Sequence, residues 1–211
     1  ELICIIRWIY IYEYMKTTNI KRAFICDSDV LIYENITSIN DKYLKDNDFM
    51  LCSSSSKNLT GGQSIWNFEK LEEFVDFIFK FYEPENLNKI ENWWKNYKDP
   101  GGICDMTLLY YFANNSSDFV GLRLPDFPYF NKDLTQIFNN QITFDLHLAT
   151  HGNHIYPEEY DVNQSNKNKN IKFINNKPYC YNKRLQKDIR FVLLHFQGRN
   201  KAIMKEYFNK S

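Results

Sequence analysis

The chain of 211 residues has no excess of either charge, with 26 basic and 26 acidic residues. It also has no basic stripe, so nothing in it argues for a nucleic-acid partner. It has no long apolar run. The stretch from Leu2 to Tyr14 is apolar but short, and Arg7 and Glu13 interrupt it. That is too short and too charged for a membrane span, and the layout of a signal peptide is missing. The five cysteines are odd in number and scattered. They show neither metal-ligand spacing nor a disulfide framework, which favours a reducing compartment and predicts a cytoplasmic protein. There is no internal repeat. What the chain does have is length enough for one domain over 1–211 with a sizeable core, and a high aromatic content of 17% to fill it.

Hydrophobic spacing predicts an amphipathic helix over 2–18, apolar on most faces. Lys21 to Leu31 reads as a buried strand and Asp48 to Ser53 as a shorter one. A Gly-bearing turn, Thr60-Gly61-Gly62-Gln63, leads into a further apolar stretch. Leu71, Phe74, Val75, Ile78 and Tyr82 fall at helical spacing, with Asn67 as N-cap and Pro84 ending the helix. A short helix is expected over Lys89 to Tyr97. Asp99-Pro100-Gly101-Gly102 reads as a turn, followed by a helix from Ile103 to Phe112 capped by Asp105. The segment from Asn163 to Asn170 is polar and lysine-rich, a solvated loop or hairpin tip. Ile171 to Ile174 and Ile189 to Phe196 read as strands. Alternating helices and short strands place the chain in the α/β or mixed α+β class.

Two motifs interrupt this pattern. Asp27-Ser28-Asp29 closes the strand Phe24-Ile25-Cys26, and two carboxylates one residue apart offer hard oxygens to a divalent cation. On a strand both would point to one face, whereas the plain alternative is a strand-end turn with solvated acids. Late in the chain, Phe191 to Phe196 runs into His195-Phe196-Gln197-Gly198-Arg199-Asn200-Lys201, an imidazole, a small residue and a cation at fixed spacing. A lone histidine on a strand is more often structural than a ligand. A metal-bound diphosphate, however, needs both sets of groups. Asp145, His147, His151 and His154 also cluster in sequence and would make a second metal site, although such gaps arise in plain loops.

The acidic triplet after an apolar strand and the terminal His-x-x-Gly-x-x-Lys together resemble the GT-A-fold glycosyltransferases, in particular those of glycosyltransferase family 8, the glycogenin and galactosyltransferase-like group. The resemblance spans roughly Arg7 to Lys201. It implies a GT-A-like mixed sheet flanked by helices. Because the chain starts at Glu1 with a helix at once, part of the N-terminal nucleotide-binding unit is expected to be missing. A lumenal site such as the Golgi then becomes the alternative to the cytoplasm, if the missing part carries an anchor.

The resemblance further implies that Asp29 binds the cation directly, that Asp27 contacts ribose or reaches the metal through water, and that His195 completes the shell. Mixed oxygen and imidazole ligands suit Mn²⁺ better than Mg²⁺. Gly198 would admit the phosphates and Lys201 would neutralise them. Gly61-Gly62 resembles the donor-lining Asn-Ser-Gly element, with Thr60 in place of Asn. Asp105 matches the acid near the reacting carbon, a general base in inverting members and a positioning group in retaining ones. Arg7 matches a donor-binding basic residue before Asp-x-Asp.

The expected function is transfer of a sugar from a nucleotide-diphosphate sugar, UDP-linked by preference and with retention slightly favoured. The acceptor is a hydroxyl on a glycan, protein or lipid. The alternatives are a non-catalytic glycan- or nucleotide-sugar-binding domain, and a nucleotidyltransferase or phosphohydrolase. The last two lack their usual Gly-rich or additional acidic signature here.

Overall fold

The computed structural model describes residues 2–55, 58–96, 103–113, 135, 137–149 and 159–210. The fold is mixed α/β. Helix α1 (Leu2–Thr18) leads into β1 (Arg22–Cys26), β2 (Val30–Ile32) and α2 (Ile36–Ile39), the last running on as a π-helical turn (Asn40–Leu44). Next come β3 (Phe49–Ser55), β4 (Asn58–Asn67), α3 (Phe68–Phe81), α4 (Pro84–Asn96) and α5 (Asp105–Ala113). The C-terminal part holds β5 (Ile142–Thr143), β6 (Lys172–Ile174), β7 (Lys177–Asn182), β8 (Lys187–Phe191), β9 (Leu193–His195), a 3₁₀ helix (Gly198–Ile203) and α6 (Met204–Phe208).

Among the described residues the strands form three small sheets, ordered β1-β4-β3, β2-β9 and β5-β8-β7-β6. All pairings in them are antiparallel except β5 with β8. The core follows from helical spacing. Ile5, Trp8 and Met15 of α1 and Leu71, Phe74, Val75, Ile78 and Phe81 of α3 are buried. The Trp8 ring lies 5.4 Å from that of Trp66 and 5.5 Å from that of Phe74, a range in which aromatic pairs add to area burial. Arg22 ties β1 to the turn after α2. Its guanidinium donates to Asn40 Oδ1 at 2.8 Å and to the carbonyls of Leu44 and Asn47.

Several elements differ from the sequence expectation, each for a local reason. Phe81 rather than Tyr82 completes the buried stripe of α3, because the helix ends there and Tyr82 already leaves helical backbone (φ −94°, ψ 14°). Pro84 opens α4, where its missing N–H costs nothing. Asn67 precedes α3 but makes no side-chain cap, since its Oδ1 accepts from Arg22. Asp105 is the first residue of α5 rather than its cap. Gly61 and Gly62 lie inside β4 rather than in a turn. The expected strand from Lys21 to Leu31 is two strands, and the acidic triplet is the turn between them. The expected strand from Ile189 to Phe196 also splits, at Val192. That residue donates to Thr143 O and accepts from Tyr33 N–H, handing the chain from one sheet to another. The turn expected at Asp99 to Gly102 lies outside the described residues.

Candidate metal centre

Strand pairing alone brings the two motifs together. In the antiparallel register of β2 with β9, Val30 faces His195, and Phe196 N–H donates to Asp29 O at 2.8 Å. The residue just before β2 therefore lies beside the last residue of β9. Asp27 is held by the neighbouring sheet. Cys26 faces Gln63 in β4, and Asp27 N–H donates to Gly62 O at 2.8 Å.

His195 Nε2 lies 3.2 Å from Asp29 Oδ1, and Lys201 Nζ lies 3.1 Å from Asp29 Oδ2. Asp29 and His195 are buried, whereas Lys201 is mostly exposed. One ligand atom from each of Asp27, Asp29 and His195 can be chosen so that all lie within 4.8 Å of one another. Ligands about 2.1 Å from one cation stand roughly 3 to 4.2 Å apart, so a small inward adjustment accommodates a single ion.

The imidazole is oriented for this role. His195 Nδ1 is 2.7 Å from Leu146 O. A carbonyl only accepts, so Nδ1 carries its hydrogen and Nε2 is turned to Asp29. Nε2 and Asp29 Oδ1 then face each other as two acceptors unless a proton or a cation stands between them. Two carboxylates and an imidazole form a donor set that fits a divalent cation. Burial pushes the Asp29 carboxyl up, but its hydrogen bond to Lys201 and the charges of His195 and Lys201 outweigh this and hold it below its ordinary value.

Around this centre, Arg7 joins two acids. Its Nη1 donates to Asp27 Oδ1 at 2.9 Å and its Nη2 to Asp105 Oδ2 at 2.7 Å. Trp8 Nε1 donates to the same Asp105 oxygen at 3.3 Å. Asp105 is thus a buried, anchored carboxylate one step from the acidic turn. Space is tight at both β4 glycines. A Cβ on Gly62 would stand 2.5 Å from Asp27 Oδ2, and one on Gly61 would stand 2.2 Å from the Trp8 ring. Gly198 has a different reason. Its φ of +62° is left-handed, and nothing lies within 4 Å of where a Cβ would be. It starts the 3₁₀ turn that carries Lys201 back over Asp29.

The second cluster does not form a metal centre among the described residues. Asp145 is spent on Lys169 and on the His195 backbone, and His147 Nδ1 accepts from Ala149 N–H at 2.9 Å. His151 and His154 lie outside the described residues. Among those described, Asp27, Asp29 and His195 are the group of three that could hold an ion.

Asp145, expected in a second metal site, and Lys169, which sequence reasoning passed over, complete the surroundings. Asp145 Oδ2 accepts from His195 N–H at 3.1 Å, and Lys169, in the segment expected to be solvated, is buried against Asp145 Oδ1 at 2.8 Å. A lysine in a polar run carries no signal of burial. The one hint was an aspartate next to Phe144, inside an apolar stretch.

No family model matches the chain, and no curated protein matches it. No helix among the described residues is long and apolar enough to cross a membrane.

Proposed function

We propose that the chain is a metal-dependent glycosyltransferase of GT-A type, which takes a sugar from a nucleotide-diphosphate donor, UDP-linked by preference, to an acceptor hydroxyl. The observation that carries this reading is the meeting of Asp29 with both His195 and Lys201, residues from opposite ends of the sequence. A site for a bare cation has no use for an ammonium at one of its ligands. A site for a cation bound to a diphosphate does, since the ammonium and the cation share the phosphate charge.

Asp29, His195 and Asp27 would hold Mn²⁺ or Mg²⁺, which when bound draws charge from the leaving diphosphate. Lys201, three residues past Gly198 and with its side chain mostly exposed beside Asp29, would add its charge to the cation's at the diphosphate. Asp105 Oδ2 is engaged by Arg7 and Trp8. These two donors fix the orientation of the Asp105 carboxylate, which suits it to position the donor or the acceptor. Arg7 spans Asp27 and Asp105 and keeps the donor side of the site in register with the acidic turn.

Calorimetric titration with UDP, with and without Mn²⁺, tests the proposal. Metal-dependent UDP binding is expected. Absence of UDP binding in the presence of Mn²⁺ overturns it, and binding of free glycan without any nucleotide response would instead identify a carbohydrate-binding module.

A further inference from the structure

The most deeply buried ion pair among the described residues lies behind His195, not in front of it. Asp145 has a fully buried side chain, and that of Lys169 is 9% exposed. Neither touches the acidic turn. Both are tied to the strip 145–148, and that strip holds His195 at three atoms. His195 N–H donates to Asp145 Oδ2 at 3.1 Å, Nδ1 donates to Leu146 O at 2.7 Å, and His195 O accepts from Leu148 N–H at 2.9 Å. The strip is itself fixed from both sides. Gln63 Nε2 of β4 donates to Asp145 O at 2.7 Å. Lys169 Nζ donates to Asp145 Oδ1 at 2.8 Å and to His147 O at 2.6 Å. The Leu146 carbonyl, which sets the imidazole, lies between these two attachment points.

We infer that Asp145 and Lys169 are positioning residues that hold the His195 ring with Nε2 toward Asp29. The inference rests on the metal reading above, and it adds residues which that reading does not use. An apolar pair would fill the same volume, often at little cost in stability. It would supply neither an acceptor for His195 N–H nor a clamp on His147 O. The pair also links the ring to the lysine turn, because Asn168, next to Lys169, donates from Nδ2 to Asn200 Oδ1 at 3.0 Å. One short segment thereby sets both the imidazole and the helix that carries Lys201. Groups that orient a ligating histidine from behind are worth about 10- to 100-fold in metal affinity.

The test compares the parent chain with the double variant Asp145→Leu, Lys169→Met. The double change removes both charges together and leaves no unpaired ion in the core. Mn²⁺ affinity is measured by calorimetry, folding by thermal melting, and the ligand set by pulsed electron paramagnetic resonance of bound Mn²⁺ with ¹⁵N-labelled histidine. The parent is expected to show a histidine nitrogen coupled to Mn²⁺. The folded double variant is expected to bind Mn²⁺ about 10- to 100-fold more weakly, with that coupling lost or reduced. A merely structural pair would lower the melting temperature and leave the coupling intact, and this result, with unchanged affinity, overturns the inference. Mn²⁺ bound to the parent without a histidine nitrogen also refutes the positioning role and spares the carboxylate site. If the double variant does not fold, Lys169→Met alone, measured in the same way, takes its place: weaker Mn²⁺ binding with reduced histidine coupling supports the inference, and parent-like affinity and coupling overturn it. No Mn²⁺ binding by the parent at all refutes the metal reading itself.

Discussion

Gly61 and Gly62 are neighbours in one strand, yet alanine at each should fail in a different way. Neither has a positive φ, so alanine can adopt the backbone and only the space around Cβ matters. At Gly62 the new methyl would stand 2.5 Å from Asp27 Oδ2 and 3.2 Å from Asp27 Cγ and Thr60 Oγ1. Reaching ordinary contact near 3.4 Å requires the carboxylate oxygen to move by about 0.9 Å. Asp27 can make that move, since its side chain is 38% exposed. The move draws Oδ1 away from Arg7 Nη1. A half-exposed ion pair of that kind is worth about 0–1 kcal/mol. The stability loss therefore stays below about 2 kcal/mol, or roughly 4–8 °C in melting temperature for a chain of this length. The same displacement takes a candidate ligand off its position, and a misplacement near 1 Å costs on the order of 100-fold in turnover.

At Gly61 the methyl would meet Trp8 Cζ2 at 2.2 Å and Cη2 at 2.6 Å. Trp8 has no exposure and cannot move aside. Overpacking of this kind costs about 1–3 kcal/mol or more. Melting curves and Mn²⁺ titrations of both variants form the assay. Gly62→Ala should melt near the parent and bind Mn²⁺ poorly, while Gly61→Ala should melt well below it. Parent-like Mn²⁺ affinity in Gly62→Ala would refute the placement of Asp27 in the centre.

The remaining predictions use other groups of the site and core. Asp29→Ala should abolish Mn²⁺ binding and leave the circular dichroism spectrum unchanged; retained affinity in the folded variant removes Asp29 from the ligand set. The Asp29 carboxyl is raised by burial but held below its ordinary value overall by Lys201 and His195. Its stabilising contribution is therefore present above the unfolded-state value of about 3.9 and is lost as pH falls through the lower folded value. Melting temperatures of the metal-free chain below about pH 4 should drop more steeply for the parent than for Asp29→Asn, and parallel curves would contradict this. Lys201→Ala should lower UDP release with a matched acceptor by a large factor and UDP affinity by less, because leaving-group charge grows in the transition state. Lys201→Arg should keep part of the turnover. Burial pushes the Cys180 thiol up to about 11. At pH 8 a thiol reagent should label exposed Cys4 at once and leave Cys180 untouched until the chain unfolds.

The parts of the site legible in the sequence are those whose chemistry conflicts with their neighbourhood. Asp27 and Asp29 interrupt an apolar strand, and His195 ends one. A polar residue in such a place needs a partner, so each could be singled out before any pairing was known. The helices were legible for the opposite reason, because the spacing of Leu71, Phe74, Val75 and Ile78 agrees with a buried stripe. The functions of Gly61 and Gly62 were not legible. A glycine pair reads as a turn, and only the Trp8 ring and the Asp27 carboxylate show that the strand continues and lacks room for a Cβ. The division of the strands was equally hidden. Phe191 to Leu194 is uninterrupted in hydrophobicity and fully buried, and the change of partner at Val192 comes from pairings made elsewhere in the chain.

Lys169 is the instructive case. It sits among Asn, Gln, Ser and Lys, a composition that predicts solvent on every side, yet it is buried on Asp145. Its burial is decided by a carboxylate in a different segment, and no local pattern encodes that. The same dependence explains why the residues of the candidate centre stand out in the sequence while those packed behind them are silent. A carboxylate at the end of an apolar strand differs from its surroundings in the sequence. A residue that orients it need only meet the right partner in the fold. For this chain the turn Asp27-Ser28-Asp29 announces a site, and the strip from Asp145 to Leu148 determines which nitrogen of His195 that site receives.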